Sequence, residues 1–260
     1  MKQYKVAIIG NGMICNAAHI PAYKAMGDKV KIVAVADIRE EAAKETAERH
    51  GIPKYYVDPY KMLEEEKPDI ISVCTPNAYH KEYTLAGFRA GCHVVCEKPV
   101  AVTCADAEEM FNAAEKAGKH LFVIQSLRFT GNFKAAAGLA KSGCLGDIYY
   151  ADLNLVRRRG VPRWGMFHMA KENVGGAFCD LGVHMCDYLM SISGNPKMVS
   201  VSGSAVTRIV NKEKNIEFSN AESGAPTGLF TPRKFDMKEF DVEEFANGYI
   251  RLENGMTVTF

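Results

Sequence analysis

A short apolar run, residues 5–9, ends in Gly10-Asn11-Gly12 and passes into a helix-compatible stretch at 14–26. A buried strand that runs through a glycine turn into a helix opens a βαβ unit, and later apolar runs must then join the same sheet. Such runs recur at 31–37, 55–57, 69–74, 93–96 and 120–125, alternating with helical patterns at 39–50, 59–66, 81–90 and 104–117. Short, wholly apolar strands between helices predict a mostly parallel, doubly wound sheet with helices on both faces.

The pattern changes after residue 147. Longer strands are predicted at 147–156, 199–209, 240–252 and 256–260, and Asn254-Gly255 between the last two is a strong hairpin signal. A glycine-rich turn at 175–176 leads into a helix reaching about residue 189, and residues 211–237 are polar and turn-rich. The predicted fold is therefore α/β plus α+β. A Rossmann domain covers residues 1–126. An α+β domain with a large, mostly antiparallel open sheet covers 127–260. The sequence stops at Phe260 in mid-strand, which reads as a truncated second domain whose last strand lies at an incomplete sheet edge.

Charge excludes some functions. Lys plus Arg number 32 against 31 for Asp plus Glu, a net charge of +1, without the basic excess of a nucleic-acid binder. No apolar run approaches the ~20 residues that span a bilayer. The eight cysteines form no C-x-x-C pair and sit mostly in apolar contexts. With no export signal at the start, reduced buried thiols and a cytoplasmic location are expected, with no metal site.

Gly10, Gly12, Met13 and Ile14 form a loop at the end of the first strand where a pyrophosphate can rest on the positive end of the next helix. The third glycine of that fingerprint is replaced by Cys15, another small residue. Asp37 closes the second strand, where a carboxylate binds the adenosine ribose hydroxyls. A carboxylate there repels a 2′-phosphate, so NAD is expected over NADP, with Arg39 the one cation able to change that preference.

Three further segments complete a pattern: Cys74-Thr75-Pro76-Asn77-Ala78-Tyr79-His80; Glu97-Lys98-Pro99; and, about eighty residues later, Gly175-Gly176-Ala177-Phe178-Cys179-Asp180-Leu181-Gly182-Val183-His184. With the glycine loop they resemble the Gfo/Idh/MocA oxidoreductases, relatives of glucose–fructose oxidoreductase and inositol dehydrogenase, along essentially the whole chain. The resemblance implies hydride transfer between NAD and a secondary hydroxyl of a sugar, glycoside or polyol, with C3 of a hexose as one candidate. It implies Lys98, Asp180 and His184 as catalytic residues, a cis Lys98–Pro99 bond, and Thr75, Pro76, Asn77, His80 and Glu97 at the cofactor. The resemblance also implies that residues 127–260 bind the substrate and form a homodimer or homotetramer through the C-terminal sheet.

Position supports several of these assignments. Lys98 follows a strand at its C-terminal end, where ligands gather in open α/β sheets. Asp180 and His184 lie four apart and share one helix face. A Lys98–His184 pair is favoured over a single base. Gln125, Arg128, Arg157 and Trp164 are candidates for substrate contact, Arg128 being equally suited to an ion pair between domains. Two other functions fit the same frame: a glycosidase that oxidises C3 transiently with tightly held NAD, and a sugar or dinucleotide sensor. A sensor has no need of a proton acceptor.

Overall fold

The computed structural model describes residues 2–156, 162–208, 210 and 228–260. Its first half is a six-stranded parallel sheet of β1 (Tyr4–Ile9), β2 (Val30–Ala36), β3 (Lys54–Tyr56), β4 (Ile70–Val73), β5 (His93–Cys96) and β6 (Leu121–Val123), in the order β3-β2-β1-β4-β5-β6. The order reverses between β1 and β4, which opens a crevice at the carboxyl ends of those strands. Helices α1 (Ile20–Ala25), α2 (Glu40–His50), α3 (Pro59–Glu66), α4 (His80–Arg89) and α5 (Cys104–Ala117) supply the crossovers.

Alternation along β1 divides the core. Ala7 and Ile9 face one cluster with Val73, Val94 and Met110, whereas Val6 and Ile8 face the other with Cys15, Ile20 and Val35. Burial on both faces is why these strands read as unbroken apolar runs.

Helices α6 (Gly131–Lys141), α7 (Ala170–Asn173) and α8 (Val183–Ser193) belong to the second half, with strands β7 (Tyr150–Asp152), β8 (Met198–Val206), β9 (Phe245–Leu252) and β10 (Thr257–Thr259). This sheet is ordered β7-β10-β9-β8, antiparallel except for the parallel β7–β10 pair. One face packs on α8 through Leu189 against Ile250, Leu252, Met256 and Val258. The other exposes Phe245 and Tyr249 of β9, opposite Val206 and Ser202 of β8. Asn254-Gly255 makes the β9–β10 hairpin, with Gly255 at φ 85°.

Three expectations need correction. The strand at the end of the sequence is not an edge: β10 is paired on both sides, and Phe260 exchanges main-chain hydrogen bonds with Gly248. The strand expected over 147–156 shrinks to Tyr150–Asp152. The one expected from Phe240 starts at Phe245, because Asp241, Glu243 and Glu244 turn their side chains to backbone N–H groups of other segments.

Candidate active site

The glycine loop closes as its sequence requires. Gly10 lies at φ 91°, and a Cβ there would come within 2.6 Å of the Cys74 carbonyl carbon, so the loop can pass over the end of β4 only as glycine. A Cβ at Gly12 would meet nothing within 4 Å, which leaves open space above the loop for a ligand. Cys15, in the third glycine's place, is fully buried, and burial pushes its thiol up to about 12. Asp37 Oδ2 accepts the Asn11 N–H at 2.8 Å and Oδ1 the Arg39 N–H at 2.9 Å. The Arg39 guanidinium lies 3.8 Å from the same carboxylate and donates to the Thr231 carbonyl at 3.4 Å.

The Lys98–Pro99 bond is cis. Lys98 Nζ crosses to the second half of the chain, donating to Asp180 Oδ1 at 2.8 Å and to the Asp180 carbonyl at 2.9 Å. Asp180 lies in a widened, π-helical turn, Phe178–Gly182, that feeds α8 and its His184; such turns recur at functional sites. Glu243 holds the start of this turn, its carboxylate accepting the Gly176 and Phe178 N–H groups at 2.8 and 2.9 Å. Gly176 lies so close to the Glu243 carbonyl that a Cβ would collide with it.

His184 is half-buried and its Nδ1 has no hydrogen-bond partner. Burial first, and the Lys98 charge second, lower its pKa below the ordinary histidine value. Thr75 Oγ1, Gln125 Oε1 and Asn11 Oδ1 are likewise buried without partners. Orphaned polar atoms are rare in folded chains. Together with the open space above Gly12, the unpartnered Asn11 and Thr75 atoms fit a dinucleotide lying across the loop. A cavity of about 220 Å³ lies behind Pro99, between Asn77, Val174, Phe178, Val183 and Cys186.

Several candidate residues do other work. Asn77 is buried and donates to the Asn173 carbonyl at 2.9 Å, joining the two halves. His80, expected at the cofactor, is fully buried instead, with Nδ1 2.7 Å from the Pro99 carbonyl and Nε2 3.0 Å from the Thr75 carbonyl. Burial lowers its pKa more than the two carbonyls raise it. Arg128 takes the ion-pair role, gripping Asp187 through Nε and Nη2 at 2.7 and 2.6 Å. Trp164 is buried with its ring edge-on to Phe167, and its Nε1 has no hydrogen-bond partner. Arg157 lies outside the described residues. Glu97 is buried and bound to His19, a partner not anticipated from the sequence. The available signal was a histidine one turn behind the glycine loop, four residues before Tyr23 on the same helix face.

Comparison with known proteins follows this geometry. Residues 4–125 match the model of the oxidoreductase family with an NAD-binding Rossmann fold, and residues 133–260 match the GFO/IDH/MocA C-terminal domain. The chain is 36% identical over 251 residues to D-glucoside 3-dehydrogenase of Escherichia coli, covering 96% of this chain and 67% of that protein. It is 30% identical over 190 residues to myo-inositol 2-dehydrogenase of Thermotoga maritima, covering 73% of this chain and 55% of the relative. The chain thus spans about half to two thirds of the length of these curated relatives. An NAD-binding protein from Listeria innocua superposes with a TM-score of 0.77 at 27% identity, covering 99% of this chain and 66% of that one. Among the described residues, no helix is long and apolar enough to cross a membrane. By sequence match along both halves, this chain belongs to the Gfo/Idh/MocA oxidoreductases.

Proposed function

We propose that the protein oxidises a secondary hydroxyl of a sugar, glycoside or polyol with NAD, the C3 hydroxyl of a glucoside being the first candidate. The observation that carries this reading is the meeting of Lys98 and Asp180 beside the unpartnered Nδ1 of His184. The 36% identity to a glucoside 3-dehydrogenase supports the substrate class.

The groups divide the work by chemistry. An ammonium has three N–H donors. Asp180 takes two of those on Lys98, and the third is left for the substrate oxygen. His184, with its pKa lowered, is neutral at pH 7 and offers a lone pair, so it takes the hydroxyl proton. Lys98 then stabilises negative charge as it develops on that oxygen. NAD, when bound, would supply the hydride acceptor for the carbinol carbon, whose C–O bond becomes a carbonyl. Gly10, Gly12, Met13 and Ile14 would hold its pyrophosphate, Asp37 its adenosine ribose, and Asn11 and Thr75 the polar atoms between.

Exposed Phe245 and Tyr249 on β9 and exposed Val201 on the edge strand β8 support a homo-oligomer through the second sheet. The eight unpaired cysteines support a cytoplasmic location. A panel of glucosides, free sugars and inositols, screened for NADH formation, tests the activity. Substrate-dependent NADH is the expected result. Sugar release without net NADH would show a glycosidase instead, and NADH binding with no turnover on any substrate would show a sensor.

A further inference from the structure

Behind the catalytic loop lies a buried chain of polar groups that the proposed mechanism does not use. Tyr23 OH is 2.7 Å from Ser72 Oγ; Ser72 Oγ is 3.2 Å from His19 Nδ1; His19 Nε2 is 2.8 Å from Glu97 Oε1. The other carboxylate oxygen of Glu97 accepts the Lys98 N–H at 3.2 Å. All four side chains are buried, Tyr23 9%, Ser72 0%, His19 7% and Glu97 7% exposed.

The acceptors assign the protons. A carboxylate can only accept, so His19 Nε2 carries the hydrogen of the His19–Glu97 bond. In the Nε2–H tautomer the lone pair lies on Nδ1, where the Ser72 hydroxyl can donate to it and Tyr23 to Ser72 in turn. Burial pushes the Tyr23 phenol up to about 12, so it remains a donor. Tyr23, Ser72 and His19 each have one proton to give along this line, and the Glu97 carboxylate accepts the last.

A buried carboxylate is costly without donors. Among the described residues, no lysine or arginine forms an ion pair with Glu97, and His19 is its one side-chain partner. His19 ends a second π-helical turn, Cys15–His19, directly behind the glycine loop. Its position is therefore set by the segment on which the pyrophosphate would rest.

We propose that His19 is a positioning residue, which holds Glu97 as an aimed carboxylate so that Glu97 fixes the backbone of Lys98, linking the seat of the cofactor to the group that meets the substrate. This rests on the reading of Lys98 given above. His19 touches neither substrate nor cofactor; it acts through Glu97.

The test uses His19→Ala, His19→Gln, Glu97→Gln and the double variant His19→Ala/Glu97→Gln in the whole chain. The Lys98 amide is followed by NMR with 15N-lysine labelling, NADH affinity by fluorescence titration, and turnover with a methyl glucoside. In His19→Ala and Glu97→Gln the Lys98 amide proton moves upfield, and in His19→Gln, whose amide can still donate to Glu97, it returns toward wild type. Turnover in His19→Ala drops about 10- to 100-fold, the loss of a hydrogen bond to a charged group. NADH affinity stays near wild type, and the double variant is no worse than either single one. An unmoved Lys98 amide in His19→Ala overturns the proposal. So do losses that multiply in the double variant, or an NADH affinity that falls as far as turnover. Wild-type protein inert on every sugar would sink the proposed activity alone, and the amide shift would still decide the role of His19.

Discussion

Lys98 meets Asp180 twice, through the carboxylate at 2.8 Å and the main-chain carbonyl at 2.9 Å. The carbonyl contact survives any change of the Asp180 side chain. Asp180→Asn should therefore cost less than removing the amine. Lys98→Met is expected to cut turnover at least ~10²-fold, the scale of general acid–base catalysis, with NADH affinity near wild type. Steady-state rates beside NADH titrations check this; turnover near wild type in Lys98→Met would remove the amine from the mechanism.

In the proposed mechanism His184 acts as a neutral ring, and burial lowers its pKa from 6.5. Turnover should hold as pH falls through 6.5 and drop only at a lower value, as the ring gains its proton. His184→Gln should lose most activity together with that acidic limb. A kcat–pH profile of both proteins decides it, and a limb that persists in the variant would assign it to another group.

Stability should follow pH through other histidines. His80 and His168 are fully buried, and burial lowers both from 6.5. Below pH 6.5 the unfolded chain binds protons that the folded rings refuse, so stability falls until the folded values are reached. For a chain of this length each kcal/mol lost lowers Tm by about 2–4 °C. Thermal melts at pH 7.5 and 5.5 should show a drop of several degrees, and an unchanged Tm would contradict it.

In the proposed reading, cofactor choice turns on Asp37. Asp37 follows the end of β2, and Arg39 is held by Asp37 and by the Thr231 carbonyl. NAD should bind more tightly than NADP, and Asp37→Ala should narrow the gap while weakening the loop, since the Asn11 N–H loses its acceptor. Titration of both cofactors against both proteins reads this. Tighter NADP binding by the wild type would mean that Arg39 governs the pocket.

Gly176→Ala places a methyl group against the Glu243 carbonyl. Overpacking of this kind destabilises by about 1–3 kcal/mol, measurable by urea denaturation. Turnover should fall further than stability predicts, because the same turn sets Asp180 and His184.

The first half was legible because its signals are local. Apolar strands buried on both faces, a glycine turn and an acidic strand end each announce themselves within a few residues. Helix α6 carried no such signal for the sequence reading, and its cap, the Thr130 hydroxyl accepting the Phe133 N–H, is visible only in the fold. Arg128 and Trp164 had open roles in the sequence for a shared reason. Residue type shows that a side chain can meet a sugar, but not that Asp187 or a neighbouring core has already claimed it. His19 was missed because its partner Glu97 stands 78 residues away.

Lys98 is delivered by the first sheet, while Asp180 and His184 come from a turn and helix packed on the second, and Asn77 fastens one half to Asn173 of the other. Catalysis on this plan behaves as a coincidence detector: it reports that both halves are seated together. A mutation far from any reacting atom can thus abolish turnover by changing the angle of docking, and substrate range can be altered in the second half without retuning the grip on the dinucleotide.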